Sequence, residues 1–316
     1  MSQGPFSISD LPMDAAGRVY HLQVTREQLS DRILLVGDPD RGPMIAQELL
    51  ESVEVDVFNR GLRTITGVLR GTSHRISIVT SGMGTPSTEI VLNELVALNE
   101  VDPATRMRRS HFEPLTVIRV GTSGALQSNT SLGSVIITRY VVGLDNAASF
   151  YELPYSGDGC ERLERSTRAV LDTVVAPSSR FRDTLSPYAA KADATIVSAL
   201  ERAATEHGVA YEVGVTVSAP GFFASQGRDI SRLGVVVPDL DRHLSEAHTG
   251  LEGQRFLNME MEASFLLAFL GGQGYRAGVV CAAVANRRSD TFADNMRGAV
   301  ANAYRVALRA LVADTQ

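Results

Sequence analysis

The sequence is short of the residues that build disulfides and metal sites. Its two cysteines, Cys160 and Cys281, lie far apart with no C-x-x-C spacing, and Cys281 sits inside the apolar run VVCAAVA. The six histidines show no H-x-x-x-H or related pairing. Neither a structural disulfide nor a zinc centre is expected. No apolar stretch approaches the ~20 residues of a membrane span, and the opening MSQGPFSISDLPMDAAGR lacks a basic start followed by an apolar run. No membrane association is expected, and the expected location is the cytoplasm. Positive charge is also scarce: 30 Lys and Arg against 36 Asp and Glu give a formal net charge of -6, with the cations spread along the chain. Nucleic-acid binding calls for a basic stripe, so no polynucleotide partner is expected. Repeats, low-complexity tracts and the G-x-x-x-x-G-K-[ST] motif are missing as well, and the last of these argues against a nucleoside triphosphate.

What remains is an ordinary amount of core-forming material: 316 residues, 44% hydrophobic and 21% charged. No linker-like run divides it, so one domain over 1–316 is expected. Short apolar runs rich in β-branched residues alternate with stretches of helical period, the pattern of an α/β fold. The runs predict strands at Arg32–Val36, Arg75–Thr80, Thr116–Val120, Gly133–Arg139, Gly214–Val217 and Gly278–Ala285. Several are apolar throughout, as central strands covered on both faces are. Thr85-Pro86 reads as N-cap and N1 of a helix with Val91, Leu95 and Leu98 on one face, and Val300, Tyr304, Ala307 and Leu311 form a stripe on a C-terminal helix. The segment 155–185 mixes Gly, Pro, Ser and charge with little periodicity and predicts an irregular surface excursion.

In open α/β sheets ligands bind beyond the carboxyl ends of strands, so the residues after each apolar run are the site candidates. ILLV is followed by Gly37-Asp38-Pro39-Asp40-Arg41. A side-chain-free Gly lets backbone N–H groups approach an anion and Arg41 adds a forked donor, although G-D-P is equally an ordinary turn. RISIVT leads into Ser81-Gly82-Met83-Gly84-Thr85-Pro86-Ser87. This glycine turn can hold phosphate at a helix N-terminus, can simply connect strand to helix, or can partly imitate a dinucleotide fingerprint. The turn is not in the first βα unit and no ribose-binding acid ends the next strand, which weakens the dinucleotide reading.

Arg119 lies inside an apolar strand and is followed by Val120-Gly121-Thr122-Ser123-Gly124. A buried Arg needs an anion. Either hydroxyls and amides beyond it complete an oxyanion ring, or it pairs with an internal carboxylate. Glu260 and Glu262 flank Met261 before the apolar stretch Ala263–Leu270. They read as dipole partners of a helix N-terminus, or as acceptors for ribose hydroxyls. Phe222, Gln226 and Arg228 share one loop. Phe222 is a core residue or a stacking platform, while Gln226 and Arg228 suit a planar ligand with adjacent carbonyl and N–H edges.

Taken together and in order, Gly37-Asp38-Pro39-Asp40-Arg41, Ser81-Gly82-Met83-Gly84-Thr85-Pro86-Ser87-Thr88, Arg119-Val120-Gly121-Thr122-Ser123-Gly124-Ala125 and Asn258-Met259-Glu260-Met261-Glu262 resemble the signatures of uridine phosphorylases. The resemblance runs from Tyr20-His21-Leu22 to Val284-Ala285-Asn286-Arg287. It implies an α/β nucleoside phosphorylase-like domain, a central mixed β-sheet flanked by helices, that splits uridine with phosphate into uracil and ribose 1-phosphate. By the same resemblance Gly37, Arg41, Arg119 and Thr122 bind phosphate, with Arg60 added from the neighbouring subunit. His21, also from the neighbour, reaches the ribose 5′-hydroxyl with Tyr20 beside it. Met261 and Glu262 hold the ribose with Glu260 close by, Phe222 stacks on the base, and Gln226 and Arg228 bind the uracil edge. Arg119, Gln226 and Arg228 are the residues implied in catalysis. The implied assembly is a dimer with shared sites, or a hexamer of such dimers, and the implied partners are a nucleoside and inorganic phosphate, with no further cofactor.

Departures from the pattern are specific. Gly61 stands where bacterial relatives often carry an acid that binds potassium between subunits, so that cation is not expected. Pro220-Gly221 replaces more polar residues, and 155–185 is longer than the pattern needs. Purine phosphorylases place an Asp where this chain has Asn286-Arg287, and a register shift would bring Asp290 there. The competing readings are therefore a purine nucleoside phosphorylase, a phosphate-independent nucleosidase, a non-catalytic nucleoside-binding protein and a nicotinamide dehydrogenase.

Overall fold

A computed structural model describes residues 4–313. The chain divides into two compact units, 1–117 and 118–316. In the first, β1 (Arg32–Val36) leads to α1 (Arg41–Leu49), the hairpin β2 (Leu50–Asn59) and β3 (Leu62–Leu69), β4 (Arg75–Thr80) and α2 (Thr85–Glu100). β1 and β4 are parallel, with Val36 opposite Thr80, while β4, β3 and β2 continue antiparallel. β1 and β4 have the predicted bounds, and nearly all of their residues are buried, as their unbroken apolar character requires. The β2–β3 hairpin is not legible in advance: β2 exposes most of its length, so LESVEVDVFN carries no apolar run.

β5 (Thr116–Ala125) carries the chain into the second unit. There follow β6 (Val135–Gly143), α3 (Cys160–Val174), β7 (Tyr188–Lys191), α4 (Ala194–Glu206), β8 (Tyr211–Ser218), α5 (Leu240–Glu246), β9 (Phe256–Glu260), α6 (Ala263–Gly272), β10 (Arg276–Asn286), β11 (Thr291–Phe292) and α7 (Met296–Val312). The strand order is β11-β10-β6-β8-β9-β5, with β7 also on β6. β6–β8 and β8–β9 are parallel; β10–β11, β10–β6, β6–β7 and β9–β5 are antiparallel. This is the mixed α/β architecture expected, with α4, α6 and α7 packed on β6 and β10. α6, ASFLLAFLGG, is apolar on every side and buried from Ala263 to Leu270, as such a helix must be. Val300, Tyr304, Ala307 and Leu311 are buried along α7 as predicted.

Three expectations change. The segment 155–185 is not irregular throughout: α3 occupies residues 160–174 and buries Cys160, Leu163, Thr167 and Leu171. Val170 and Val174 pack against the same core. The residues 163, 167, 170, 171 and 174 form a narrow helical stripe, hidden in sequence by the charge around it and by the Gly-rich start, where Gly159 has φ +91. Next, β5 runs on to Ala125, because Gly124 and Ala125 pair with Met259 and Asn258 of β9. Long-range pairing overrides the strand-ending look of Gly121 and Gly124. Finally, α2 starts one residue early: Gly84, at φ 82, is its N-cap and Thr85 its first helical residue. Cys160 and Cys281 are both buried thiols. No helix among the described residues is long and apolar enough to cross a membrane.

Candidate active site

In the first unit, the parallel pairing of β1 and β4 brings their two following loops together. Ser81 N–H donates to the Val36 carbonyl at 2.8 Å, and a side chain on Gly37 would come to 3.4 Å from the Gly82 carbonyl. Gly82, at φ +70, has no room for a Cβ, which would sit 2.2 Å from Ser87 Oγ. Ser87 closes the turn by donating to the Ser81 carbonyl at 2.6 Å. Arg41 is the first residue of α1, with Nε 3.8 Å from the Asp38 carboxylate. Within this unit the turns that follow β1 and β4 are therefore adjacent, and Arg41 opens the helix after the first of them.

The same unit joins the residues expected to serve a neighbouring subunit. Arg60 donates to Tyr20 Oη at 3.1 Å and its guanidinium lies 5.1 Å from the Tyr20 ring centroid. Tyr20 meets His21 edge-on at 4.9 Å. Buried Glu94 of α2 fixes His21, accepting from its backbone N–H at 2.8 Å and lying 2.7 Å from Nδ1. Glu94 also accepts from Leu22 N–H. With Nδ1–H directed to a carboxylate, Nε2 is the ring atom left to meet a ligand. Glu94 carries no sequence signal, since an acid on a helix usually faces water.

The second unit holds the acids. Arg119 of β5 is buried and forks between Glu260 Oε2, 3.1 Å from Nη1, and Glu262, which accepts from Nη2. A Cβ on Gly121 would fall 2.2 Å from Arg119 Nη1, so a side chain there would displace the guanidinium. The internal carboxylate pairing is thus present at Arg119, while its buried Nε has no hydrogen-bond partner among the described residues. Burial pulls the guanidinium down, but Glu262, Glu260 and Cys281 lift it above its ordinary value. Burial pushes Glu260 up, opposed by Arg119, and pushes the Cys281 thiol up to about 12. Glu260 ends β9 and accepts from the backbone N–H groups of Glu262 and Ala263 at 2.9 and 3.0 Å, so it caps α6. Glu262 is the N-cap residue and Met261 lies between them, half-buried. Ser123, beside Thr122, accepts from Asn258 Nδ2 at 2.8 Å.

Within the same unit, the loop after β8 gathers Phe222, Gln226 and Arg228. Phe222 is 53% exposed and Gln226 4%. Gln226 Oε1 accepts from Arg228 at 2.6 Å, Gln226 Nε2 donates to the Gly221 carbonyl at 3.1 Å, and Arg228 also donates to the Phe222 carbonyl. The Arg228 guanidinium covers the Phe222 ring, 4.1 Å from its centroid. Arg287 donates to the Gln226 carbonyl at 2.6 Å and pairs with Asp241 at 3.2 Å. Burial, then repulsion from Arg287, lowers Arg228 below the usual guanidinium value. Arg287 and Asp241 therefore belong to this loop's support, which their sequence distance concealed. Asn286 is buried and donates to the Gln127 and Thr130 carbonyls, whereas Asp290 is exposed on the turn beyond it. An apolar cavity of 280 Å³ lined by Leu171, Phe181, Leu185, Pro220, Ala224 and Val236 lies behind the loop, so the 155–185 segment packs beside it.

Residues 31–313 match the phosphorylase superfamily model. The chain belongs to the phosphorylase superfamily. Among relatives of this superfamily member, the uridine phosphorylase of Thermococcus kodakarensis is 31% identical over 287 residues, covering 91% of this chain and 84% of that protein. The uridine phosphorylase of Escherichia coli is 28% identical over 296 residues, covering 92% and 96%. A crystal structure of a Trypanosoma brucei nucleoside phosphorylase, described as showing uridine phosphorylase activity, superposes with a TM-score of 0.86 at 26% identity, over 96% of this chain and 99% of that one.

Proposed function

We propose that this phosphorylase-superfamily protein is a uridine phosphorylase-type pentosyltransferase, converting uridine and inorganic phosphate into uracil and ribose 1-phosphate, and that residues 1–316 act as one catalytic domain. The observation that carries the base class is the Gln226–Arg228 pair, with Arg228 over the Phe222 ring and Arg287 bracing Gln226, while Asp290 is exposed. Near-full-length similarity to uridine phosphorylases supports the reaction.

In this reading Gly37, Arg41, Arg60, Arg119 and Thr122 bind phosphate, His21 binds the ribose 5′-hydroxyl, and Glu262 with Met261 and Glu260 holds the ribose. A phosphate oxygen forms the new bond to C1′ as the bond from C1′ to uracil N1 breaks. The electron pair passes to the base, and its charge spreads onto the carbonyl oxygens. Arg228 and Gln226 stabilise that charge by hydrogen bonding, so positioning and electrostatics supply the catalysis without a dedicated general acid. The Tyr20–His21–Arg60 cluster serves a neighbouring copy in a dimer with shared sites, in the cytoplasm.

Release of base from uridine and from inosine, compared at saturating phosphate, tests the base class. Uridine is expected to exceed inosine by roughly 10⁴-fold or more in kcat/KM, the scale on which a site built to hydrogen-bond its substrate rejects one that leaves those groups unpaired. Preference for inosine would overturn the assignment of Gln226 and Arg228.

A further inference from the structure

Behind the acids of β9 and α6 runs a chain of buried hydrogen bonds that ends at Asp145, two residues beyond β6. The Asp145 carboxyl accepts from Ala147 N–H at 2.9 Å, from Tyr188 Oη at 2.8 Å and from Ser264 Oγ at 2.9 Å. Ser264, the second residue of α6, uses its hydroxyl for Asp145 and its backbone N–H for Ser218 Oγ, 2.9 Å away. Ser218 in turn donates its hydroxyl hydrogen to Glu260. Asp145, Ser218, Ser264 and Glu260 are all buried, and Tyr188 is held well above its ordinary value by burial and then by Asp145. Packing around the junction is tight: a Cβ on Gly143 would lie 2.5 Å from the Tyr188 ring and 2.8 Å from Ser264 Cβ.

The hydrogen count gives this chain a direction. Ser218 has one hydroxyl hydrogen and spends it on Glu260, so it can only accept from Ser264. Ser264 and Tyr188 each have one hydroxyl hydrogen, and a carboxyl takes both while accepting Ala147 N–H. Both hydroxyls reach Oδ2 and Ala147 N–H reaches Oδ1. An amide in place of the carboxyl would either turn its N–H donors toward the two hydroxyls or, with its oxygen kept at Oδ2, set them against Ala147 N–H; in both orientations part of the junction loses its partner. Because Ser264 is anchored through both its groups, this arrangement fixes the first turn of α6, where Glu262 is the N-cap.

We infer that Asp145, aided by Tyr188, is a positioning residue that sets Glu262 through Ser264 and the start of α6, and so governs how strongly the enzyme distinguishes ribose from 2′-deoxyribose. The inference rests on Glu262 as a ribose ligand. It touches no substrate itself; it acts on the aim of a carboxylate that does.

The test is the ratio of kcat/KM for uridine to that for 2′-deoxyuridine in the wild type, Asp145→Asn, Tyr188→Phe, Glu262→Gln and the double variant Asp145→Asn/Glu262→Gln. Glu262→Gln is expected to lower the ratio. Asp145→Asn should lower it by about 5- to 10-fold, the effect of misaligning one hydrogen bond to a charged group, and Tyr188→Phe should move it the same way by less. KM for uridine should rise more than KM for phosphate. In the double variant the ratio should match Glu262→Gln alone, since Asp145 then has no carboxylate to aim. If Glu262→Gln changes the ratio while Asp145→Asn and Tyr188→Phe leave it alone, Asp145 only packs the fold and the inference is wrong. If Glu262→Gln itself has no effect, the ribose reading of Glu262 fails, and the positioning role with it. Should Asp145→Asn not fold, Tyr188→Phe decides the matter.

Discussion

Replacing Arg119 with Ala is expected to lower kcat/KM for uridine by roughly 10³-fold or more and to destabilise the protein. Two effects combine. Removing a preorganised donor for a reacting anion commonly costs about 10²–10³-fold. In addition, Glu260 and Glu262 lose the guanidinium that forks between them, and breaking a buried ion pair on one side costs about 3–5 kcal/mol. Lys at this position keeps the charge but not the fork, so Arg119→Lys should retain more stability than Ala while still losing most turnover. The stability loss has a pH signature. Glu260 already lies above its ordinary value of 4.5 because it is buried, and losing Arg119 moves it further up. A carboxyl with a raised folded-state pKa stabilises the fold below its unfolded pKa, and that contribution is lost as pH rises through the folded value. The Tm deficit of Arg119→Ala should therefore be small near pH 4.5 and grow toward neutrality. Steady-state kinetics and thermal unfolding across this range check both parts, and near wild-type kcat/KM would remove Arg119 from the phosphate site.

Arg228→Ala is expected to cost roughly 10²-fold in kcat/KM for uridine with little change in Tm, because Arg228 is only half-buried and caps an exposed ring. Its loss withdraws the donor from Gln226 Oε1 and a positive charge from beside the departing base. A uridine with an electron-withdrawing 5-substituent yields a base anion that needs less help, so its turnover should fall less in the variant than that of uridine. Equal losses for both substrates would assign Arg228 to binding rather than to leaving-group stabilisation.

How much of this was legible in the sequence follows from the range of the forces involved. Buried, uniformly apolar strands announce themselves, and β1 and β4 have the bounds that RILLV and RISIVT predict. The exposed β2 and the narrow stripe of α3 give no such local signal. Arg119 was conspicuous because a cation in an apolar strand demands an anion. Its partner Glu262 lies 143 residues away, and nothing local links the two. The network behind them was invisible for the same reason: Asp145, Ser218 and Ser264 are ordinary polar residues until the ends of β6, β8 and β9 bring them together. Gln226 and Arg228 were readable as a pair because they share one loop, whereas Arg287 joins them only through the fold.

The central claim is that the glycosidic bond is cleaved by phosphate and not by water. Phosphorus NMR of a reaction containing uridine and inorganic phosphate, followed beside uracil release, tests it most directly. One ribose 1-phosphate is expected for each uracil, with no uracil formed when phosphate is omitted. Uracil appearing with free ribose, at a rate independent of phosphate, would contradict the account and make the protein a nucleosidase.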